Sequence, residues 1–379
     1  MILTLICLLV PVLYIATVLK WKRNWDRYPL FKPGLVEEFA EISVIIPFRN
    51  EEASLAVLLN NLALQQYPLG MYEVILVNDH SDDASVEIAS RFCRQYANFH
   101  LFHNTRDDSG KKAALARGIS AARFELIVST DADCSLGEHW LVTISAFYRQ
   151  EGPRLIIGLT DVTPGKGFLG RFQEIEFLGL VAAGAGAAAG NSPLYCNAAN
   201  MAYSKKLMQS YPDSMQQSLV SGDDTFFMLR VKRDRAGDIR LLKSKKAIVV
   251  AQGAGSWRQF LSQRRRWMSK SRYYKDLQVV ITAWLVLLNS VCTIAAMGLT
   301  IAGLNFWLFP VIYLGKTLAD ILLVGGLLKF YQKPVPRWHF LLFELLYPFY
   351  IVGVVITGFL FGYTWKNRKY RGATAGEVV

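Results

Sequence analysis

Apolar residues are concentrated at the two ends of the chain, and this distribution most restricts what the chain can fold into. Residues 2–19 contain no charged side chain, residues 279–328 contain only two, and residues 340–365 contain only one. A helix that crosses a bilayer needs about 20 mostly apolar residues. The sequence therefore predicts one membrane helix at the N-terminal end and about three near the C-terminal end.

The first apolar run has the features of an uncleaved signal-anchor. No basic segment precedes it and no small-x-small cleavage motif precedes Lys20, so a cleaved signal peptide is the less favoured alternative. Lys20, Lys22, Arg23 and Arg27 follow the run directly. Basic residues beside a membrane helix tend to stay on the cytoplasmic side. We therefore expect the chain after residue 20 to be cytoplasmic.

Charge and cysteine content narrow the class of protein further. The formal net charge is +12, and basic residues cluster beside the predicted membrane helices, at 20–27, 258–275 and 366–371. This placement is typical of contact with anionic lipid headgroups and not of a nucleic-acid groove. The five cysteines lack CxxC or zinc-ligand spacing, which indicates free thiols in a reducing compartment.

The middle of the chain alternates strand-like and helix-like segments. Helical patterns separate four short apolar runs that predict strands, at 42–47, 72–77, 99–103 and 125–129. This alternation predicts βαβ units and a mostly parallel sheet with helices on both faces. The expected fold class is therefore α/β, in a domain inserted between the membrane segments.

Polar clusters follow three of the predicted strands, at residues 49–52, 78–83 and 131–133. Ligands of open α/β sheets bind beyond the carboxyl ends of the strands, so these clusters mark a candidate site. The first strand–helix turns lack the GxGxxG and GxxxxGKS/T patterns. Their absence argues against a dinucleotide oxidoreductase and against a P-loop NTPase.

Asp131 and Asp133 directly follow the fourth predicted strand. Carboxylates at i and i+2 of an extended chain point the same way. Hard cations such as Mg²⁺ bind one or two protein carboxylates and keep positions open for substrate phosphates. Alone, this acid pair is more typical of a turn. Beside the other polar clusters, it predicts a site for Mg²⁺ or Mn²⁺.

Three later segments allow two interpretations each. Residues 168–190 begin as a helix and become rich in small residues, which places them at the membrane surface or in an acceptor cleft. Asp223 and Asp224 precede a predicted helix, where they either cap its positive N-terminus or serve as a general base. The basic, aromatic segment 257–275 is either an interfacial helix or the floor of an active site.

Five motifs, in this order, resemble those of family 2 glycosyltransferases of the GT-A fold, which include cellulose, chitin and hyaluronan synthases and ceramide glucosyltransferases. The motifs are Ile45–Glu52 (IIPFRNEE), Val77–Asp83 (VNDHSDD), Asp131–Asp133 (DAD), Gly222–Asp224 (GDD) and Gln263–Trp267 (QRRRW, matching QxxRW). The resemblance covers about residues 40–275. It implies a Rossmann-like GT-A domain with a mixed, mostly parallel sheet.

The resemblance also implies roles for individual residues. The nucleotide-sugar pocket would be lined by Pro47, Arg49, Glu51, Glu52, Asp79, Lys111 and Asp131. Asp133 would hold Mg²⁺ or Mn²⁺ on the diphosphate, and Asp224, or else Asp223, would be the catalytic base. The acceptor and diphosphate end would be shaped by Gln263, Arg266 and Trp267. The family usually has Glu-Asp where this chain has Asp-Asp, which leaves open which acid takes the proton.

These roles make a coherent reaction. Displacing a nucleoside diphosphate from a sugar needs a cation to neutralise the leaving group and one base to deprotonate the acceptor. Attack opposite the leaving group predicts inversion. We expect transfer from a UDP-sugar to a lipid or lipid-linked saccharide. The alternatives are a processive polysaccharide synthase and, from another class, a non-catalytic membrane protein that binds nucleotide sugars. No nucleic acid partner is expected.

The predicted division of the chain has six parts: a transmembrane signal-anchor (1–20), a linker (21–39), a cytoplasmic GT-A catalytic domain (40–256), an interfacial QxxRW segment (257–275), a transmembrane region (276–365, with helices at about 279–303, 305–329 and 340–363) and a basic tail (366–379). The expected location is the bacterial inner (plasma) membrane. Three C-terminal crossings would place the basic tail outside, against the positive-inside rule. Either the tail is an exception, or the last apolar segment is re-entrant or interfacial.

Overall fold

The computed structural model describes residues 2–34, 38–105, 110–211, 223–334, 337–365 and 368–370. The chain divides into two compact units. The first contains Met1–Tyr28, Pro164–Gly190 and Gly253–Val379, and the second contains Pro29–Thr163 and Asn191–Gln252.

The helices of the described residues are named here in chain order. They are α1 (Ile2–Arg27), α2 (Leu55–Ala63), α3 (Ser85–Gln95), α4 (Lys111–Ala121), α5 (Trp140–Glu151), α6 (Gly167–Ala189), α7 (Lys205–Gln209), α8 (Asp223–Arg235), α9 (Trp257–Ser269), α10 (Leu277–Ile301), α11 (Leu308–Tyr331) and α12 (Arg337–Leu360).

The strands of the described residues are named in the same way. They are β1 (Ile42–Phe48), β2 (Tyr72–Asn78), β3 (Phe99–His103), β4 (Leu126–Ser129), β5 (Cys134–Leu136), β6 (Leu155–Gly158), β7 (Thr160–Thr163), β8 (Met201–Ser204), β9 (Ile239–Leu242), β10 (Val249–Gln252), β11 (Tyr363–Trp365) and β12 (Arg368–Tyr370).

The second unit is built on a seven-stranded sheet with the order β3-β2-β1-β4-β8-β6-β9. Strands β3, β2, β1 and β4 run parallel, β8 runs antiparallel to both β4 and β6, and β9 is parallel to β6. Every residue of β1, β2 and β4 is buried, as expected for parallel strands covered on both faces. The predicted mixed, mostly parallel α/β fold is confirmed.

A smaller sheet with the order β5-β10-β7 lies in the same unit. Strand β10 pairs antiparallel with β5 and parallel with β7, and its Ala251 lies opposite Cys134. Because β5 begins directly after Asp133, this sheet fixes the chain on the far side of the acid pair.

The first unit is a bundle of helices. Four of its described helices are long and apolar enough to cross a membrane; they cover Thr4–Arg27, Leu277–Ile301, Leu308–Tyr331 and Trp338–Leu360. One lies at the N-terminal end and three near the C-terminal end, as predicted. The last is continuous through Pro348. Of the basic tail predicted at 366–379, only residues 368–370 lie within the described part of the chain, as strand β12.

The observed boundaries differ from the predicted ones at two places. Helix α1 continues to Arg27 instead of ending at residue 20, and the Trp25 ring packs edge-on against Phe330 of α11 at 5.4 Å between ring centroids. Helix α6, predicted within the catalytic domain, belongs to the first unit. The small residues of α6 explain this, because they let it pack closely against α1. A Cβ added at Gly186 would lie 2.7 Å from Trp21 on α1, so a larger side chain would not fit there.

Candidate active site

The carboxyl ends of three adjacent parallel strands meet at one edge of the large sheet. Phe48 at the end of β1 lies opposite Asn78 at the end of β2, and Ser129 at the end of β4 lies opposite Ile45 of β1. The polar clusters predicted after these strands therefore lie on neighbouring strand ends. This is the position at which open α/β sheets bind ligands.

The loops after β1 and β2 are bonded to each other. Arg49 Nη1 donates to the carbonyl of Asp79 at 2.9 Å. Further bonds between the loops run from Asn50 N to Ser81 Oγ (3.1 Å), Asp82 N to Asn50 Oδ1 (3.0 Å), Glu51 N to Ser85 Oγ (2.7 Å), Glu52 N to Asp83 Oδ2 (3.1 Å) and Ala84 N to Glu52 Oε2 (3.0 Å). Glu51 and Glu52, predicted to line a pocket, thus also hold these loops together.

Asp79 is a buried carboxylate that fixes the start of α4. It is 2% exposed, and its Oδ1 accepts bonds from Gly110 N at 2.8 Å and from Asn104 Nδ2 at 3.2 Å. Gly110 has a φ of 97°, in the left-handed region that glycine adopts without strain. The next residue is Lys111, so Asp79 sets the position from which the Lys111 side chain extends.

Lys111 and Asp131 form an ion pair between α4 and the end of β4. The Nζ–Oδ1 distance is 2.5 Å, and the two side chains are 23% and 33% exposed. Both residues were predicted separately to contact a donor nucleotide or sugar, and the structure brings them together. Because the pair is open to solvent, a ligand can reach it and exchange partners with it.

Asp133 lies in the turn between β4 and β5 beside a buried thiol. Cys134 Sγ donates to Asp133 Oδ1 at 3.7 Å. Burial, and then the charges of Asp131 and Asp133, raise the pKa of the Cys134 thiol well above its usual value. The thiol therefore stays neutral. Sequence reasoning did not single out Cys134, although its position directly after the acid pair was visible.

The acid pair fits a divalent metal bound jointly with a ligand. Within the described residues, no group of three or more histidine, cysteine, aspartate or glutamate side chains is arranged to hold a metal ion. Hard cations in sites that process phosphates take one or two protein carboxylates and complete their shell with water and phosphate oxygens. Two carboxylates at an accessible strand end meet that requirement.

Asp224 is tied to the same strand end through one intermediate residue. Its Oδ2 accepts a bond from Ala198 N at 3.0 Å and its Oδ1 one from Thr225 N at 2.7 Å. Ser129 Oγ, at the end of β4, donates to the carbonyl of Ala198 at 2.9 Å. The candidate site therefore includes Ser129 and Ala198, to which the sequence pattern assigns no role. The Asp223 side chain and Gly222 lie outside the described part of the chain.

The residues of the QxxRW pattern lie on α9, in the first unit. Gln263, Arg266 and Trp267 are all half-buried there. Arg264, which the prediction passed over as a spacer, is buried and bonded to Gln263. Three residues after Arg264, the Trp267 ring stacks on its guanidinium group, 4.2 Å from Arg264 Cζ to the ring centroid.

Known proteins share this domain. Residues 43–229, about half of the chain, match the model described as glycosyl transferase family 2. This part of the chain belongs to that family. The family 2 domain spans most of the second unit and includes the three strand ends and Asp224.

Named relatives match shorter parts of the chain. Glycosyltransferase AglE of Haloferax volcanii is 35% identical over 100 residues, which are 26% of this chain and 33% of that protein. Beta-monoglucosyldiacylglycerol synthase of Trichormus variabilis is 28% identical over 111 residues, 29% of this chain and 24% of that protein. The matched regions thus span a quarter to a third of these relatives.

A solved structure resembles a larger part of the chain. The mannosyltransferase PcManGT from Pyrobaculum calidifontis, in complex with GDP-Man and Mn²⁺, has a TM-score of 0.57 and 16% sequence identity. The similarity covers 88% of this chain and 100% of that one. At this level of identity it establishes a shared fold, and the family 2 domain has the GT-A fold.

Proposed function

We propose that this protein is an inverting glycosyltransferase that moves a sugar from a nucleotide-sugar, a UDP-sugar, to a membrane-associated acceptor. The acceptor would be a lipid or a lipid-linked saccharide. One observation carries the proposal: the end of β4 holds Asp131 and Asp133 and is linked through Ser129 and Ala198 to Asp224. This link supports a site in which Asp131 and Asp133 would serve the leaving group and Asp224 would serve the acceptor.

The donor would bind along the ends of β1, β2 and β4. The residues assigned to it are Pro47, Arg49, Glu51, Glu52, Asp79, Lys111 and Asp131. The Lys111–Asp131 pair offers one cation and one hydrogen-bond acceptor at an accessible position. The Lys111 ammonium group suits a phosphate, and the Asp131 carboxylate suits a hydroxyl of the sugar or ribose. The GDP-Man complex of the structural relative supports a nucleotide-sugar donor.

Asp133 would hold a divalent cation, Mg²⁺ or Mn²⁺, together with the diphosphate. Such an ion, when bound, stabilises the negative charge that grows on the leaving diphosphate. The Mn²⁺ of the structural relative supports this choice of ion. Because the Cys134 thiol beside Asp133 is neutral, it is not a second anion that would compete with Asp133 for the metal.

Asp224 would be the general base. It accepts two backbone N–H bonds, which keep its carboxylate in a fixed orientation. The acceptor oxygen bonds to the anomeric carbon as its proton passes to Asp224 and the bond to the diphosphate breaks. A single displacement inverts the anomeric centre and needs no second carboxylate as nucleophile.

The acceptor would come from a membrane. Four apolar helices support membrane insertion, and the basic residues Lys20 to Arg27 at the C-terminal end of α1 support a cytoplasmic domain. A relative named for the synthesis of a glucosylated diacylglycerol supports a lipid acceptor. Gln263, Arg266 and Trp267 would act at the acceptor and diphosphate end, and a bacterial plasma membrane fits a donor made in the cytoplasm.

Substitution of Asp224 by Asn tests the proposal. Purified wild-type protein with Mn²⁺ should turn over a UDP-sugar, and Asp224→Asn should bind UDP equally well while its turnover falls by a factor of about 100 or more. Asp234→Asn, an exposed acid on the same helix, should turn over like the wild type. Absence of turnover in the wild type, with equal UDP binding by both proteins, would leave only a binding function.

A further inference from the structure

Arg264 lies at a spacer position of the QxxRW pattern, yet it is 5% exposed. Its Nε donates to Glu176 Oε1 at 2.8 Å, its Nη2 donates to Glu176 Oε2, and its Nη1 donates to Gln263 Oε1. Glu176, on α6, is as deeply buried as Arg264. The two groups form the two-point contact that a planar guanidinium makes with a carboxylate and that lysine cannot reproduce.

The pair is enclosed by aromatic residues from two helices, α9 and α12. Tyr350 of α12 donates its hydroxyl to Glu176 Oε1 at 2.9 Å, and its ring stacks on Phe260 of α9. Arg264 Cζ lies 4.4 Å from the Phe260 ring centroid and 4.2 Å from that of Trp267. Burial acts to lower the pKa of the guanidinium group, but the Glu176 carboxylate more than offsets it, so this pKa lies above its ordinary value. Arg264 therefore remains a cation in contact with both rings.

Through Arg264, Glu176 acts on two residues of the QxxRW pattern. The Gln263 side-chain oxygen accepts from Arg264, and the Trp267 ring lies against the guanidinium plane. A side chain held by both a hydrogen bond and a buried neighbour keeps one rotamer. Glu176 thereby limits how Gln263 and Trp267 can turn.

We propose that Glu176, Arg264 and Tyr350 form a positioning lock that holds Gln263 and Trp267 in the orientation required at the acceptor end of the reaction. The lock rests on the proposed glycosyl transfer. Its members would act through Gln263 and Trp267, which Arg264 contacts directly. Breaking the lock should therefore affect the use of acceptor and spare the binding of donor.

Glu176→Gln in the full-length protein is the main test. Glutamine keeps the shape of the side chain but replaces one acceptor oxygen of the two-point contact with a donor. The acceptor KM should rise, or the ratio of transfer to donor hydrolysis should fall, by about ten-fold, because small misplacements of a reacting group are costly. The donor KM should stay within about two-fold of the wild type.

Glu174→Gln is the matched control. It is the same substitution on the same helix, two residues earlier, and Glu174 pairs with Arg171 at 3.0 Å and with Lys333 at 3.4 Å. Both constants should stay within about two-fold of the wild type in this variant. A loss of acceptor use as large as in Glu176→Gln would mean that any charge lost from α6 has this effect, and would overturn the lock.

Hydrogen exchange of α9 gives a readout that does not depend on catalysis. Amides of residues 263–269 should exchange faster in Glu176→Gln than in Glu174→Gln or the wild type. If the wild type shows no transfer, the proposed glycosyl transfer is contradicted. The exchange of α9 still tests the lock in that case, because it does not depend on catalysis. Unchanged exchange together with an unchanged acceptor KM would overturn the lock. Equal rises in the donor KM and the acceptor KM would also overturn it, because they would show that Glu176 has a merely structural role.

Tyr350→Phe keeps the test decisive if Glu176→Gln does not fold. It removes one hydroxyl and leaves the ring stacked on Phe260, so the fold should be retained. The acceptor KM and the exchange of α9 should change in the same direction as for Glu176→Gln, by a smaller factor. No change in either quantity would contradict the lock.

Discussion

Asp131 and Asp133 are two residues apart in the chain but have different neighbours. Asp131 is paired with the Lys111 ammonium at 2.5 Å, whereas Asp133 accepts the weak bond of the neutral Cys134 thiol at 3.7 Å. A carboxylate already paired with a cation attracts a second cation less strongly. The ion pair with Lys111 therefore weakens Asp131 as a ligand for a second cation and fits its proposed contact with hydroxyl groups of the donor.

Asp133→Asn should remove the metal dependence of the reaction. The amide is a neutral and poorer ligand for a hard cation, so Mn²⁺-dependent turnover should fall by a factor of about 100. The measurement is the initial rate of transfer as Mn²⁺ is titrated. Glu138→Gln, at an exposed acid past β5, should keep the wild-type curve. A wild-type curve for Asp133→Asn would mean that the metal is held elsewhere.

Cys134 should resist alkylation in the folded protein. The thiolate is the reactive form, and burial with the two adjacent acids raises the pKa of this thiol. Because the folded pKa is the higher one, the thiol's contribution to stability is complete below its unfolded pKa, about 8.5, and decreases as the pH rises above that value. Mass spectrometry after iodoacetamide at pH 8 should find Cys134 labelled only after unfolding. Equal labelling of folded and unfolded protein would contradict the buried thiol.

The acids of the candidate site stand out in the sequence, whereas the residues that hold them do not. Asp131, Asp133 and Asp224 carry their chemistry in residue type and spacing. Ser129, Ala198 and Arg264 matter only through contacts between distant parts of the chain: Ser129 bonds to Ala198, 69 positions away, and Arg264 to Glu176, 88 positions away. Without the fold, nothing distinguishes such residues from their neighbours.

Among the elements, strands of the large sheet that form a continuous apolar run were predictable, including the four-residue β4, and the strands of the smaller sheet were not. Strands β1 and β2 have seven residues each, and all are buried, so an apolar run reveals them. Strands β5, β7 and β10 have three or four residues, too few for a periodic pattern to be recognised. Yet β5 fixes the chain directly after Asp133.

The packing of α4 on β1 depends on a glycine. A Cβ at Gly118 would lie 2.5 Å from Ile45 Cγ2 and 3.3 Å from Val77 Cγ2. Gly118→Ala should therefore destabilise the second unit by about 1–3 kcal/mol, because overpacking displaces a stiff, buried neighbour. The measurement is the melting temperature of the purified protein. Gly137→Ala, where an added Cβ meets nothing within 4 Å, should melt like the wild type, and equal melting of both variants would contradict this packing.

At the scale of the whole molecule, composition predicted the four apolar helices but not how they are joined. Lys316 of α11 donates to Asp320 at 2.7 Å and also to Glu344 of α12, while Tyr14 of α1 donates to Asp320 at 2.8 Å. All four side chains are buried. Buried charges need such partners, and these bonds connect three helices whose apolar surfaces alone would not define one arrangement.

The proposed lipid acceptor would account for the presence, in one chain, of a family 2 domain and of helices long and apolar enough to cross a membrane. The full-length protein in lipid vesicles, incubated with Mn²⁺ and a labelled UDP-sugar and then extracted with organic solvent, tests this most directly. We predict a discrete labelled lipid that Asp133→Asn and Asp224→Asn fail to form. Label retained as polymer would indicate a processive synthase, and a wild type that labels neither lipid nor polymer would contradict glycosyl transfer to a membrane acceptor.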